Sequence, residues 1–275
     1  MTYCLGIVTK FGLVMASDSR TNAGSDQVNT TRKMHAFCQA GEHVFVMMNS
    51  GSLSCSQSVQ TILKRDYGRG EGLSKAATMY DAARVIGKAV REVADLDRDA
   101  LEKDDYRFNV NIILGGQVKG EPPQLFMIYP QGNPLQASED SPFLQIGETK
   151  YGRPILDRGI RFDKTSLEEA AKYALLSLDS TMKSNVTVGP PIDLLAYAPD
   201  ELNITRRRRF DSDDPQLMRM RSRWDQALRQ AVSRLPEVRF PATAKRGGGS
   251  AEESIELVDT LPASDQADPQ LQIIR

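Results

Sequence analysis

The chain has 275 residues, 40% of them hydrophobic, and a formal net charge of −1. That is enough apolar material for one large core or two small ones, and the near-neutral balance excludes a nucleic-acid polycation. Three cysteines without CxxC spacing (Cys4, Cys38, Cys55) and two histidines (His35, His43) exclude a disulfide framework and a zinc site built from them. No signal peptide and no membrane-length apolar run can be read, so a cytoplasmic protein without membrane partner, metal or cofactor is expected.

The chain opens with two predicted antiparallel strands, 3–9 and 12–17, joined at Phe11-Gly12. Two more follow, Met34–Cys38 and His43–Met48, with Gly41-Glu42 as the hairpin signal between them. A helix is expected from Leu53 to Tyr67, broken by the glycine-rich stretch 68–72. Ser74 can cap a second helix, whose apolar residues Met79, Ala82, Ala83, Ile86, Val90, Val93 and Leu96 recur at helical spacing. Strands resume at Val110–Leu114, Gln124–Tyr129 and Phe143–Ile146. A short helix is expected around Arg153–Asp157. A longer one starts at Thr165, where Thr165-Ser166-Leu167-Glu168 has capping-box form. Strands at Asp193–Tyr197 and Ile204–Phe210 precede a last helix, which starts at Asp214-Pro215 and runs through Leu235. Helix pairs inserted between groups of strands predict two stacked sheets with helices outside. No G-x-G-x-x-G or P-loop pattern is present. Residues 241–275 have no aromatic side chain and six Asp or Glu against three Lys or Arg, so a disordered acidic tail is expected after a domain spanning 1–240.

The first line of the sequence carries the chemistry. Thr2 precedes the first strand, and removal of Met1 would give it a free amine beside its hydroxyl. One residue then supplies both nucleophile and base. An α-amine titrates near pH ~8, close to working conditions. A neighbouring ammonium would lower the pKa of the amine and of the hydroxyl, and Lys33 is the candidate. A buried lysine needs a carboxylate partner, for which Asp18 at the end of the second strand is placed. An oxyanion needs an unobstructed backbone N–H, and Gly51, between a strand and a helix start, suits it.

Thr2, then the stretch Gly12–Gly24 containing Ser17-Asp18-Ser19-Arg20, then Lys33-Met34, then Ser50-Gly51-Ser52, resembles the proteasome β-subunits. Within that superfamily it is most similar to the bacterial Anbu, or ancestral β-subunit, group. The resemblance covers about residues 2–240. It implies an α+β, four-layer α-β-β-α fold of the N-terminal nucleophile class. It implies Thr2 as nucleophile and base, Asp18 and Lys33 as its charged partners, and Gly51 as oxyanion donor. It also implies self-association into a ring or an open helical ring; an unidentified ATPase or adaptor is a candidate further partner on which the sequence does not decide.

Two places depart from that pattern. Gly147-Glu148-Thr149 has a glutamate where a Ser-Gly-Ser type motif carries serine. After the fourth helix the family carries an Asp and, three residues on, a Ser followed by Gly. Here Thr181 stands in place of the Asp and Ser184-Asn185 follows, so Ser184 is retained as a site residue and the carboxylate is missing. The arginine run 206–209 lies on a predicted strand and reads as a charged edge or subunit interface. Cys4 and His35 read as structural. The expected function is threonine-type hydrolysis of peptide or amide bonds. The alternatives are an assembly or binding protein with a decayed site, and an amidase for a small amide.

Overall fold

Every residue of β1 (Tyr3–Thr9) and β2 (Gly12–Asp18) is buried. A strand buried on both faces must be covered on both sides. The alternate side chains of these strands enter two different cores. Tyr3, Leu5, Ile7, Val14 and Ala16 pack toward α3 (Arg153–Gly159) and α4 (Leu167–Ser184), whereas Cys4, Val8, Leu13 and Met15 face a second sheet. In that second sheet β6 (His43–Gly51) splits in the same way. Val44, Val46 and Met48 meet the first sheet, while Phe45 and Met47 join α1 (Leu53–Gly68) and α2 (Met79–Lys103). Three apolar layers therefore separate four layers of structure, α-β-β-α, as the sequence predicts.

The first sheet has the order β10-β1-β2-β11-β12, with β10 (Phe143–Gly147), β11 (Ile192–Tyr197) and β12 (Arg206–Phe210). The second is β5-β6-β7-β8-β9, with β5 (Met34–Gln39), β7 (Val110–Val118), β8 (Gln124–Ile128) and β9 (Pro134–Gln136). All pairings are antiparallel. A two-stranded ribbon, β3 (Arg20–Ala23) and β4 (Gln27–Thr30), stands apart from both. The chain ends its regular structure with α5 (Pro215–Ser233). No helix among the described residues is long and apolar enough to cross a membrane.

This computed structural model describes residues 1–23 and 27–240. One compact unit spans Met1–Val232. The acidic stretch 241–275 and Gly24 lie outside the described residues.

Several boundaries differ from the sequence expectation. Residues 72–75 form a 3-10 turn, and α2 starts at Met79 under Thr78, whose hydroxyl accepts from the Asp81 N–H. Ser74 is therefore not the cap, and Leu96, expected on the apolar face, is exposed because it lies past the last buried turn of α2. The capping box sits one residue later than expected, on Ser166 and Glu169. The β3–β4 ribbon and β9 were not anticipated, because RTNA, QVNT and PLQ carry no apolar alternation from which to read a strand.

Candidate active site

The register of the first hairpin builds the site. Cys4 opposes Ser17, so Asp18 ends β2 beside the residues that open β1. The Tyr3 N–H donates to Asp18 Oδ1 at 3.0 Å. Lys33, the residue before β5, places Nζ 2.6 Å from the same oxygen and 2.6 Å from the Arg20 carbonyl. The Gly189 N–H holds Asp18 Oδ2 at 3.2 Å. Asp18 is 0% exposed and Lys33 4%, so neither charge is relieved by water and each depends on the other. Burial pushes the Asp18 carboxyl up from its ordinary value, against Lys33 and the two backbone donors.

Thr2 is held by its own backbone. The Glu148 N–H donates to the Thr2 carbonyl at 2.7 Å. That approach requires glycine at 147, where φ is +87° and an added Cβ would lie 1.9 Å from the Thr2 oxygen. The Thr2 side chain forms no hydrogen bond among the described residues. In this structure Met1 precedes it, so the free amine is Met1's. Burial first, and then the charge of Lys33, hold that ammonium below its ordinary pKa, while Asp18 and Glu148 oppose the shift. The lysine's field thus reaches the chain terminus, as a tuned N-terminal base requires.

Thr2, Lys33 and Gly51 line one cavity of about 480 Å³, together with Asn49, Ser50 and Asn111. Gly51 ends β6 on its wall with φ +103°, and a Cβ there would meet the Asn109 carbonyl at 2.0 Å. Only glycine fits this turn. Gly51→Ala is expected to cost about 1–3 kcal/mol in backbone strain alone. Its melting temperature should fall by roughly 5 °C, as calorimetry can check. An unchanged melting temperature would show that the turn relaxes freely.

Ser184 is not brought to this cavity. It is the last residue of α4 and exposed, it lies outside the lining, and its hydroxyl has no hydrogen bond among the described residues. Its neighbour Asn185 makes the connection instead, donating through Nδ2 to Glu148 Oε2 at 2.9 Å. Lys150 Nζ stands 3.6 Å from the other Glu148 oxygen. Asn185 is held in turn by the Thr187 N–H, which donates to its Oδ1 at 3.0 Å. The glutamate read as a departure is therefore a buried, partnered group tying the end of β10 to the end of α4. Thr181 is buried and donates back to the Ser177 carbonyl at 2.9 Å. Asp179 faces α5 and pairs with Arg221, so it supplies no carboxylate to Asp18 and Lys33.

Sequence reasoning missed Asn185 and Gly189 as contributors. Asn185 carried a signal, since it follows Ser184 at the helix end, but the Gly189 amide carried none. Cys4 lies in the core between the sheets, 0% exposed, with its thiol pushed upward by burial. Among the described residues no group of three or more His, Cys, Asp or Glu side chains could hold a metal ion.

Comparison with known proteins identifies the family and the fold. The Proteasome subunit family matches residues 2–195. The proteasome subunit beta of Archaeoglobus fulgidus is 26% identical over 205 residues, 73% of this chain and 86% of that protein. That of Haloferax volcanii is 24% identical over 214 residues, covering 76% and 79%. Among solved structures, Anbu from Yersinia bercovieri is 42% identical with a TM-score of 0.81, covering 86% of this chain and 99% of that one. Anbu from Hyphomicrobium sp. is 44% identical with a TM-score of 0.79, covering 86% and 100%. The helical assembly of the Anbu complex from Pseudomonas aeruginosa is 42% identical with a TM-score of 0.83, covering 88% and 100%. With the family match running from Thr2 into β11 and the likeness to Anbu extending over most of the described residues, the chain belongs to the proteasome subunit family and is most like its Anbu group.

Proposed function

We propose that this protein, once freed of Met1, is a threonine-type hydrolase of peptide or amide bonds. The observation that carries the reading is the buried Lys33–Asp18 pair, in which Asp18 accepts from the Tyr3 amide and Lys33 lines the same cavity as Thr2. In the proposed reaction Thr2 Oγ1 attacks the carbonyl carbon while the Thr2 amine takes its proton. The tetrahedral oxyanion is stabilised by the Gly51 N–H. The C–N bond breaks, the leaving amine takes the proton back, and an acyl ester remains on Thr2. Water, deprotonated by the same amine, attacks the ester carbonyl; the bond to Thr2 Oγ1 breaks, the ammonium returns the proton to Oγ1, and the acid leaves. Lys33 keeps the amine unprotonated and Asp18 keeps Lys33 charged and oriented. The domain carrying this chemistry is 1–240.

Self-association into a ring or open helical ring is part of the proposal, supported by the helical Anbu assembly from Pseudomonas aeruginosa. An ATPase or adaptor would deliver peptide substrates to such an assembly. The cytoplasm is the proposed setting, since three free thiols suit a reducing compartment.

A peptide epoxyketone tests the chemistry, because it condenses with both the hydroxyl and the free amine of an N-terminal threonine. Intact mass should show a Met1-free chain carrying one adduct. The adduct-forming rate should rise with pH as the amine loses its proton, and level off below pH ~8, since burial and Lys33 depress an amine at this terminus. A Met1-free chain that never forms an adduct would favour an assembly protein with a decayed site. The Glu148–Asn185 link, in which Glu148 stands where a serine is expected, would then be its structural remnant.

A further inference from the structure

We propose that the cleft between the free edges of the two sheets binds a small multivalent phosphoanion. β5 is the edge of one sheet and β12 the edge of the other. A cavity of about 590 Å³ opens between them and shares no lining residue with the Thr2 cavity. This volume is in the range of small-molecule sites. Its walls include the apolar side chains Met34, Leu195 and Ile204, and the basic ones Arg32, Lys64 and Arg207–Arg209.

The charges in this cleft do not balance. Its one carboxylate, Asp193, is already held by Arg209, which donates at 2.8 Å to both oxygens. Arg208 turns to Asp214 at 2.8 Å. Arg32, Lys64 and Arg207 make no side-chain hydrogen bond or ion pair among the described residues. Three cations thus face one concavity without a counter-charge. The imidazole of His35 lies among them with a buried Nε2 that has no partner. Burial first, and then the positive charge of Lys64, hold His35 below its ordinary pKa, with a hydrogen bond to the Arg32 backbone opposing.

Low-dielectric walls focus such a field and raise the local concentration of anions. Guanidinium groups bind phosphate oxygens through paired N–H donors, and an ammonium adds a point charge. A monocarboxylate would answer one of the three cations, whereas a di- or triphosphate answers all of them. The phosphate can come from a free polyphosphate chain, or from a nucleotide whose base would lie on Leu195 and Ile204.

Calorimetric titration of the full-length assembled chain with inorganic triphosphate tests this. One saturable site per chain is expected. Lys64→Ala and Arg207→Ala should each weaken it about tenfold or more, the usual consequence of losing a charge-assisted hydrogen bond. Arg84→Ala, an exposed arginine of α2 outside the cleft, should leave it unchanged. All three positions are exposed, and sedimentation of each variant checks that the assembly is intact. ATP binding more tightly than triphosphate would support the site and make a nucleotide its source, and equal affinities would support it with free polyphosphate as the source. Absence of saturable binding, equal weakening by Arg84→Ala, or adenosine binding as well as ATP would overturn the proposal.

Discussion

Thr2→Ala in the Met1-free chain is expected to lower hydrolysis of a fluorogenic peptide or small amide by at least ~10³-fold in kcat/KM. The substitution removes the attacking oxygen and leaves the amine, Lys33 and the oxyanion donor in place. What survives is transition-state binding without a nucleophile. Stability should barely change, because Thr2 is held through its carbonyl by the Glu148 N–H and not through its hydroxyl. A melting temperature near that of the parent chain therefore separates chemistry from folding. Thr2→Ser keeps a hydroxyl on the same backbone and should retain measurable turnover. If Thr2→Ala works within tenfold of the parent chain, Thr2 is not the nucleophile, and the Lys33–Asp18 pair serves structure alone.

Lys33→Met is expected to cost about 3 kcal/mol or more of stability at neutral pH, besides abolishing turnover. Methionine fills much the same volume, so the loss is electrostatic. Asp18, 0% exposed, keeps the Tyr3 and Gly189 amide donors but loses Lys33, the one cation in contact with it among the described residues. Burial already pushes its carboxyl upward, and without Lys33 that push goes unopposed by any charge. The sign of the pH dependence follows. In the variant the folded-state pKa of Asp18 lies above its unfolded value of ~3.9. The folded state therefore binds more protons than the unfolded state between those two values, and stability falls as pH rises through that window. The deficit relative to the parent chain should shrink on going from pH 8 to pH 5. Calorimetric melting of both chains at the two pH values checks this, and a deficit that is absent, or that grows on acidification, would sink the account.

The candidate site was legible because its members occupy positions that local rules reach. Thr2 opens an apolar run, Asp18 closes the next, Lys33 precedes a third, and Gly51 stands where a strand gives way to a helix. The four-layer order was legible for a related reason. Fully buried strands grouped apart from amphipathic helix pairs admit few ways of hiding all the apolar faces. The ribbon at β3–β4 was not legible, since its polar residues pack no core and leave no periodic trace. Ser184 was assigned by pattern at the end of α4. The helix ends in a phase that leaves it exposed, while Asn185, one residue on, reaches Glu148.

The sequence alone determined which chemistry was available, because a hydroxyl, an amine, an ammonium and a carboxylate in this order depend only on residue identity and on the ends of adjacent strands. Tertiary structure decided what those groups, and the rest of the charges, are worth. The Gly189 amide on Asp18, the Asn185 amide on Glu148 and the Arg221 guanidinium on Asp179 each join segments far apart in the chain. Their meeting is set by strand register and helix phase, and a slip of one residue in a strand would turn the side chain to the other face. The arginine run makes the point within four residues. The sequence shows four like charges on one strand, and the fold pairs Arg206 with Glu201, Arg208 with Asp214 and Arg209 with Asp193. Of the four, Arg207 alone is left facing the cleft without a partner among the described residues, because the carboxylate of that cleft, Asp193, is taken by Arg209.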